Sequence, residues 1–306
     1  MRRKFLSVVL CVCMMLTMAP FAFAEGVSSG GGGGGGGSSA ATLQSKIDAL
    51  GSEGGIVTLD NDYTETITIN TGKNITLDLN NHSLSSSTGD AIVNKGTLTI
   101  KGKGQVSTTA SDSAAIANFP DAVANVNGGT YTSSEWYVIK NLGTMTITGD
   151  VTVKKPDGSQ NTASLIDNGW YNSSDTVANE PVTAQNDKAK LTIKSGNFKG
   201  NSGQKSCSVV KNDDGGILNI SGGTFDSTAN TGAENATTIL NWNVATISGG
   251  TFKGSYPLSN GYYDNNNFDI GELTVTGGTF AASRSLFGQN DGAASGKGFI
   301  KISGGE

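Results

Sequence analysis

Apolar and polar residues alternate through Leu218-Asn219-Ile220, and the same Leu-x-Ile pattern returns along most of the chain. Aligned on its second apolar position, the series runs Leu79, Ile100, Val126, Ile147, Ile193, Ile220, Ile247, Val275 and Ile302, in steps of 21, 26, 21, 46, 27, 27, 28 and 27 residues. A period of two sends the apolar pair to one face and the middle residue to the other, which is strand geometry. Repeats of this length built from strands predict a solenoid. Gly pairs such as Gly128-Gly129, Gly222-Gly223, Gly249-Gly250 and Gly277-Gly278 follow the triplets and mark turns. An aromatic residue comes next, at Tyr131, Phe198, Phe225, Phe252 and Phe280. Stacked coil on coil about 4.8 Å apart, these rings form a column in the core. The expected fold class is all-β: a single-stranded, right-handed parallel β-helix of about nine or more coils. Its lumen should hold Ile100, Ile147, Ile193, Ile220, Ile247, Val275 and Ile302 in one line.

Upstream of each triplet lies an apolar pair closed by Asn, as in Ile92-Val93-Asn94, Ile116-Ala117-Asn118, Ile139-Lys140-Asn141, Val209-Val210-Lys211-Asn212 and Ile239-Leu240-Asn241. An Asn amide both donates and accepts, so Asn at the same turn of successive coils predicts a side-chain ladder. Before the first coil, Thr42 can cap a short helix in which Leu43, Ile47 and Leu50 share one face and Gly51 ends it. Its apolar stripe is expected to cover the open N-terminal end of the solenoid. At the other end, Ile302-Ser303-Gly304-Gly305-Glu306 stops in register with Ile220-Ser221-Gly222-Gly223 but before the aromatic. This reads as a β-helix truncated at its C-terminus, with further domains of the same chain beyond residue 306.

The triplets, the Asn turns and the segments Gly54-Gly55-Ile56-Val57-Thr58-Leu59 and Asn74 to Leu84 give the chain a resemblance to the pectin-lyase-like superfamily of right-handed parallel β-helices. Within it, the chain is most similar to secreted β-helical surface proteins of Gram-positive bacteria. The resemblance covers roughly residues 42 to 306. It implies stacked Asn and aromatic ladders, and it says more about fold than about activity.

The first residues change the cellular picture. Arg2, Arg3 and Lys4 precede an apolar run from Phe5 to Phe23 that ends in Ala22-Phe23-Ala24, so residues 1–24 read as a secretory signal peptide and the product as secreted or extracellular, with attachment to the cell wall an option. Residues 25–41 form a Gly/Ser-rich linker with eight consecutive glycines, Gly30 to Gly37, and residues 42–306 form the β-helix domain. Removing Arg2, Arg3 and Lys4 from the 21 cations leaves 18 against 26 acids, a net charge of −8. That balance disfavours nucleic acid and anionic membranes as partners, and no segment after the leader is apolar enough for membrane insertion. Cys207 is the one Cys beyond the leader, so no intrachain disulfide is expected.

Three coils lengthen between the Asn and the next triplet, over Gly169 to Lys188, Gly261 to Gly271 and Asp291 to Gly298. Loops on a rigid scaffold are where function concentrates. They bring Trp170, Tyr171, Asp213, Asp214, Trp242, Tyr262 and Tyr263 to one expected rim, with Asp175, Glu180, Asp264 and Asp269 nearby. Rings beside carboxylates and amides suit a sugar, which offers a C–H face to stack and hydroxyls to bond. A polysaccharide or a host or cell-surface glycan is therefore the expected partner, unless the rings only pack the loops onto the coils.

Catalytic parts are scarce. The resemblance implies, for an enzyme, Asp residues around calcium with a basic residue, or clustered Asp with a Gly-His-Gly segment. Here the sole Arg after the leader is Arg284 and the sole His is His82, within Asn81-His82-Ser83. Both read as surface groups, and neither a zinc set nor a nucleophile triad can be assembled. The alternative to a non-catalytic, adhesive scaffold is a polysaccharide lyase or glycoside hydrolase acting through Asp213 and Asp214, with Asp167 or Asp264 as a third partner. No cofactor is expected, although the Asp213-Asp214 pair offers oxygen ligands suited to Ca²⁺. The outward Thr of the triplets is interrupted by Asn and Lys, and its strand propensity explains it better than ice binding does.

Overall fold

The computed structural model describes residues 41–159, 161–169, 176–177, 180–181, 189–200, 208–213, 215–229, 237–261, 271–288 and 299–306, with backbone alone for 176–177 and 180–181. The chain winds as a parallel β-solenoid with three faces. The first is an eight-stranded parallel sheet: Ile67–Ile69, Ile92–Asn94, Ile116–Asn118, Ile139–Asn141, Ile166–Asn168, Val210–Asn212, Thr237–Asn241 and Tyr256–Asn260. The second holds the triplets, from Gly55–Thr58 through Asn74–Asp78, Thr97–Lys101, Ala189–Ile193, Gly216–Ile220, Val244–Ile247 and Glu272–Val275 to Phe299–Ile302. The third carries the aromatic strands, among them Ser83–Ser86, Gln105–Thr108, Asn197–Lys199, Thr224–Asp226, Thr251–Gly254 and Thr279–Ala282. Val123–Ser133 and Thr144–Lys154 run unbroken across the second and third faces, and the pairing shifts register between Val126 and Gly128, where the strand turns the corner.

The lumen column forms as the pattern requires, with one correction at its start. Ile100 pairs with Val126 and so on through Ile147, Ile193, Ile220, Ile247, Val275 and Ile302, but its partner below is Leu77 rather than Leu79. Leu77-Asp78-Leu79 offers two same-face apolar positions, and a slip of two residues leaves every side chain on its face. Leu79 instead fills the corner beneath Gly104 and Gly129, where an added Cβ would come within 2.7 Å of it. Each member from Leu77 to Val275 is at most 1 % exposed, whereas Ile302 is 51 % exposed. Full burial of such a side chain stabilises by about 1.5–3 kcal/mol.

The aromatic column is also present. Phe198, Phe225, Phe252 and Phe280 stack with centroids 4.7, 4.9 and 4.9 Å apart and planes within 11°. Tyr131 lies on the same line but is separated from Phe198 by Val153, and its hydroxyl donates to the Gly128 carbonyl oxygen at 2.7 Å.

The helix Leu43–Asp48 caps the first coil, with Leu43 and Ile47 buried and Leu50 packed against the core. Thr42 Oγ1 accepts from the Ser45 N–H. The helix ends at Ala49 in a right-handed conformation, before the expected stop at Gly51. Gln44 completes the cap by offering its side-chain amide to the edge strand: Oε1 accepts from the Thr68 N–H at 2.6 Å and Nε2 donates to the Thr68 carbonyl at 3.2 Å. This satisfies backbone groups that would otherwise template pairing. Among the described residues no helix is long and apolar enough to cross a membrane. Residues 1–40, where the leader and linker are expected, lie outside the described residues.

Candidate functional site

The Asn turns define one edge of the solenoid. Asn94, Asn118, Asn141, Asn168, Asn212, Asn241 and Asn260 form an unbroken ladder, each Nδ2 donating to the next Oδ1 at 2.7–2.8 Å. The same amides also donate to backbone carbonyls, for example Asn212 to Gly216 and Asn241 to Asn243. Gly216 must lack a side chain, because a Cβ there would stand 2.4 Å from the Asn168 carbonyl oxygen. With the ladder satisfied, the residue after each Asn is tied to the coil below. The N–H of Gly169 donates to the Asn141 carbonyl, that of Asp213 to Asn168, that of Trp242 to Asn212 and that of Gly261 to Asn241, at 2.8–3.0 Å. Four successive coils are therefore tied at one edge, one strand spacing apart, and the coils at Gly169 and Gly261 are the ones that lengthen there.

The middle residue of each Asn-closed strand faces away from the lumen. Along three successive strands these residues are Lys140, Asp167 and Lys211, paired in register. Charge on an outer face is ordinarily solvated, yet Lys140 and Asp167 are fully buried and Lys211 is 7 % exposed. Lys140 Nζ forms an ion pair with Asp167 Oδ2. Lys211 Nζ lies 2.6 Å from Asp213 Oδ2, and Asp213 is itself fully buried. The result is an alternating row of cationic and acidic side chains, Lys140, Asp167, Lys211 and Asp213. Rings cover the cations: Trp242 stands over Lys211 Nζ at 4.1 Å, and Tyr137 and Trp136 over Lys140 Nζ at 5.3 and 6.0 Å. Desolvated contacts of this kind are the stronger class of cation–π interaction. Burial pushes the Asp213 carboxyl up to about 7, with Lys211 pulling it down, Asp167 pushing it further up and Lys140 pulling it down. Asp167 Oδ1 is buried and accepts no hydrogen bond from a described residue.

Of the seven rim residues expected from sequence, Asp213 and Trp242 are brought together, through Lys211, a residue the rim reading did not include. Both are buried. Trp170, Tyr171, Asp214, Tyr262 and Tyr263 lie outside the described residues, as do Asp175, Asp264 and Asp269, and the side chain of Glu180. The proposed third partner Asp167 is close enough to act on Asp213 electrostatically. Trp136 and Tyr137 were missed because they precede Ile139-Lys140-Asn141 in a coil without an insertion. The visible signal was the alternation Lys140, Asp167, Lys211 at one register position. His82 stands at the turn position aligned with Gly104, its Nδ1 3.5 Å from Asp62 Oδ1. Arg284 is exposed beside the Tyr256 ring. No group of His, Cys, Asp and Glu suited to holding a metal occurs among the described residues. No family profile, curated protein or solved structure matches the chain.

Proposed function

We propose that this chain is a secreted or cell-surface β-helix scaffold of the pectin-lyase-like kind that binds a glycan along the rim at its Asn turns and has no catalytic activity. The observation that supports this is the row Gly169, Asp213, Trp242 and Gly261, each bonded to the coil below, with an insertion beginning at each end of the row. Trp170 and Tyr171 follow Gly169 directly in the chain, and Tyr262 and Tyr263 follow Gly261. Three strand spacings separate the first departure from the last, about 15 Å, a length that suits roughly three sugar units. Stacking on each ring contributes on the order of 1 kcal/mol, so binding would be weak and would need several rings together. The buried Lys211–Asp213 pair and the Trp242 ring give the rim a rigid floor. A glycan array of plant, host and bacterial sugars tests this, with Trp170→Ala and Trp242→Ala alongside. Retention that both substitutions reduce supports the rim; retention that survives both places the site elsewhere.

One observation favours a second reading, a polysaccharide lyase or glycoside hydrolase centred on Asp213 and Asp214. A carboxyl held near neutrality can exchange a proton at working pH. Cleavage of a uronan that Asp213→Asn abolishes, with or without added Ca²⁺, would establish it over the scaffold reading.

A further inference from the structure

The third face carries a second concave surface, remote in chemistry from the Asn turns. Across its first coils runs an open groove of about 690 Å³. Its floor is made of outward side chains one strand spacing apart, including Gln105, Ser107, Thr130 and Thr132, and among the described residues no Phe, Tyr or Trp lines it. At one end stands the Asp62–His82 pair, whose carboxylate is already engaged by the Ser83 N–H at 2.7 Å. At the other end stands Lys154.

Lys154 begins a row. The register pairs it directly with Lys199, Lys199 with Asp226, and Asp226 with Lys253. Lys199 and Lys253 are exposed and Lys154 is half-buried. None of the three lysines makes an ion pair with a described residue. Asp226 lies opposite Lys199 and Lys253 but makes an ion pair with neither, its Oδ1 accepting instead from the N–H and Oγ1 of Thr228 at 2.9 and 2.6 Å, and the row keeps an excess of positive charge at its Lys154–Lys199 end. Like charges placed directly opposite on adjacent strands repel and destabilise. Lys154 and Lys199 are therefore held together at a cost, in a protein whose overall charge is negative. An anion spanning them would remove that cost.

We propose that this groove binds a hydroxyl-rich polyanion, a linear glycan bearing carboxylates or phosphates, with its charged groups on Lys154 and Lys199 and its hydroxyls over the Ser, Thr and Gln floor. This site differs from the rim in face, in residues and in chemistry, because it relies on charge and hydrogen bonds where the rim relies on rings.

Binding of the full chain to three immobilised polymers at low and high salt tests the proposal. Alginate presents carboxylates, a glycerol-phosphate wall polymer presents phosphates, and dextran presents hydroxyls alone. The expected result is retention on at least one polyanion and none on dextran, weakening as salt rises. Affinity should fall about tenfold or more in the Lys154→Gln, Lys199→Gln double variant, since charge-assisted contacts are the ones lost. The matching Arg double variant should retain binding, and the loss in the Gln double variant separates this site from the rim, which contains neither lysine. Retention by neither polyanion, equal binding to dextran, or undiminished binding by the Gln double variant would each overturn it. Thermal midpoints no lower than the parent's confirm that the lysine variants are folded.

Discussion

Lys140-Asn141, Asp167-Asn168 and Lys211-Asn212 place two buried polar rows one residue apart on the same three strands, facing opposite ways. The inner row is neutral, runs through seven coils and satisfies itself, because each amide is both donor and acceptor to its neighbours. The outer row is charged, spans three coils, holds a carboxylate oxygen without a described hydrogen-bond donor and pushes Asp213 towards neutrality. A row that repeats with every coil answers a need of every coil, namely closing the turn. A row confined to three coils, the middle one carrying the insertion that begins at Gly169, answers a local need. Burying charge is a poor way to gain stability, since desolvation offsets most of the attraction. The comparison therefore assigns the Asn row to the fold and the Lys/Asp row to the site above it.

The sharpest way to break the comparison is to remove one member of each row. Asn168→Ala deprives Asn141 Nδ2 of its acceptor and Asn212 Oδ1 of its donor, in a place water does not reach. A loss of about 4 kcal/mol is expected, read by urea unfolding. Lys211→Met leaves Asp213 buried beside Asp167 without its cation and should cost less, about 2–3 kcal/mol, because the carboxyl can protonate. Replacing both partners, Lys211→Met with Asp213→Leu, should return stability to within about 1 kcal/mol of the parent chain. If the double replacement remains as damaging as the single, the outer row is structural and the distinction fails.

A separate effect lies in pH. The folded Asp213 carboxyl titrates near 7, above its ordinary value of 3.8, so between these values the folded chain binds a proton that the unfolded chain has released. Its contribution to stability is therefore present below about pH 4, declines as pH rises through 7 and is flat above. Unfolding free energies of the parent chain and Asp213→Asn, measured from pH 4 to pH 8, should differ by a term that falls across this window. A difference that is constant with pH would show that Asp213 stays ionised throughout.

Much of the fold was legible because its causes are periodic. Triplets, Gly pairs and Asn recur, so the lumen column, the amide ladder and the ring stack could each be placed from spacing alone. The slip at Leu79 shows the limit: alternation fixes the face of a side chain but not its register, and only the corner beneath Gly104 and Gly129 decides between Leu77 and Leu79. The interruption of the ring column by Val153 has the same origin, since its coil carries Gly149 where others carry a Gly pair followed by an aromatic. At the candidate site, the edge was visible in the Asn turns but the burial of Lys140 and Lys211 was not. An outward Lys in an alternating strand looks the same whether solvent or an aromatic layer lies over it, and that layer comes from Tyr137 and Trp242, which are distant in sequence from the lysine or outside its repeat signature.

The most direct test is the affinity of the best glycan from the array for the Lys211→Met, Asp213→Leu chain, measured by calorimetric titration beside the parent. With stability preserved and the floor of the rim altered, affinity should fall at least about tenfold, the equivalent of about 1.4 kcal/mol. An unchanged affinity, or the absence of any glycan retained by the parent chain, would contradict the assignment of the charged row to binding.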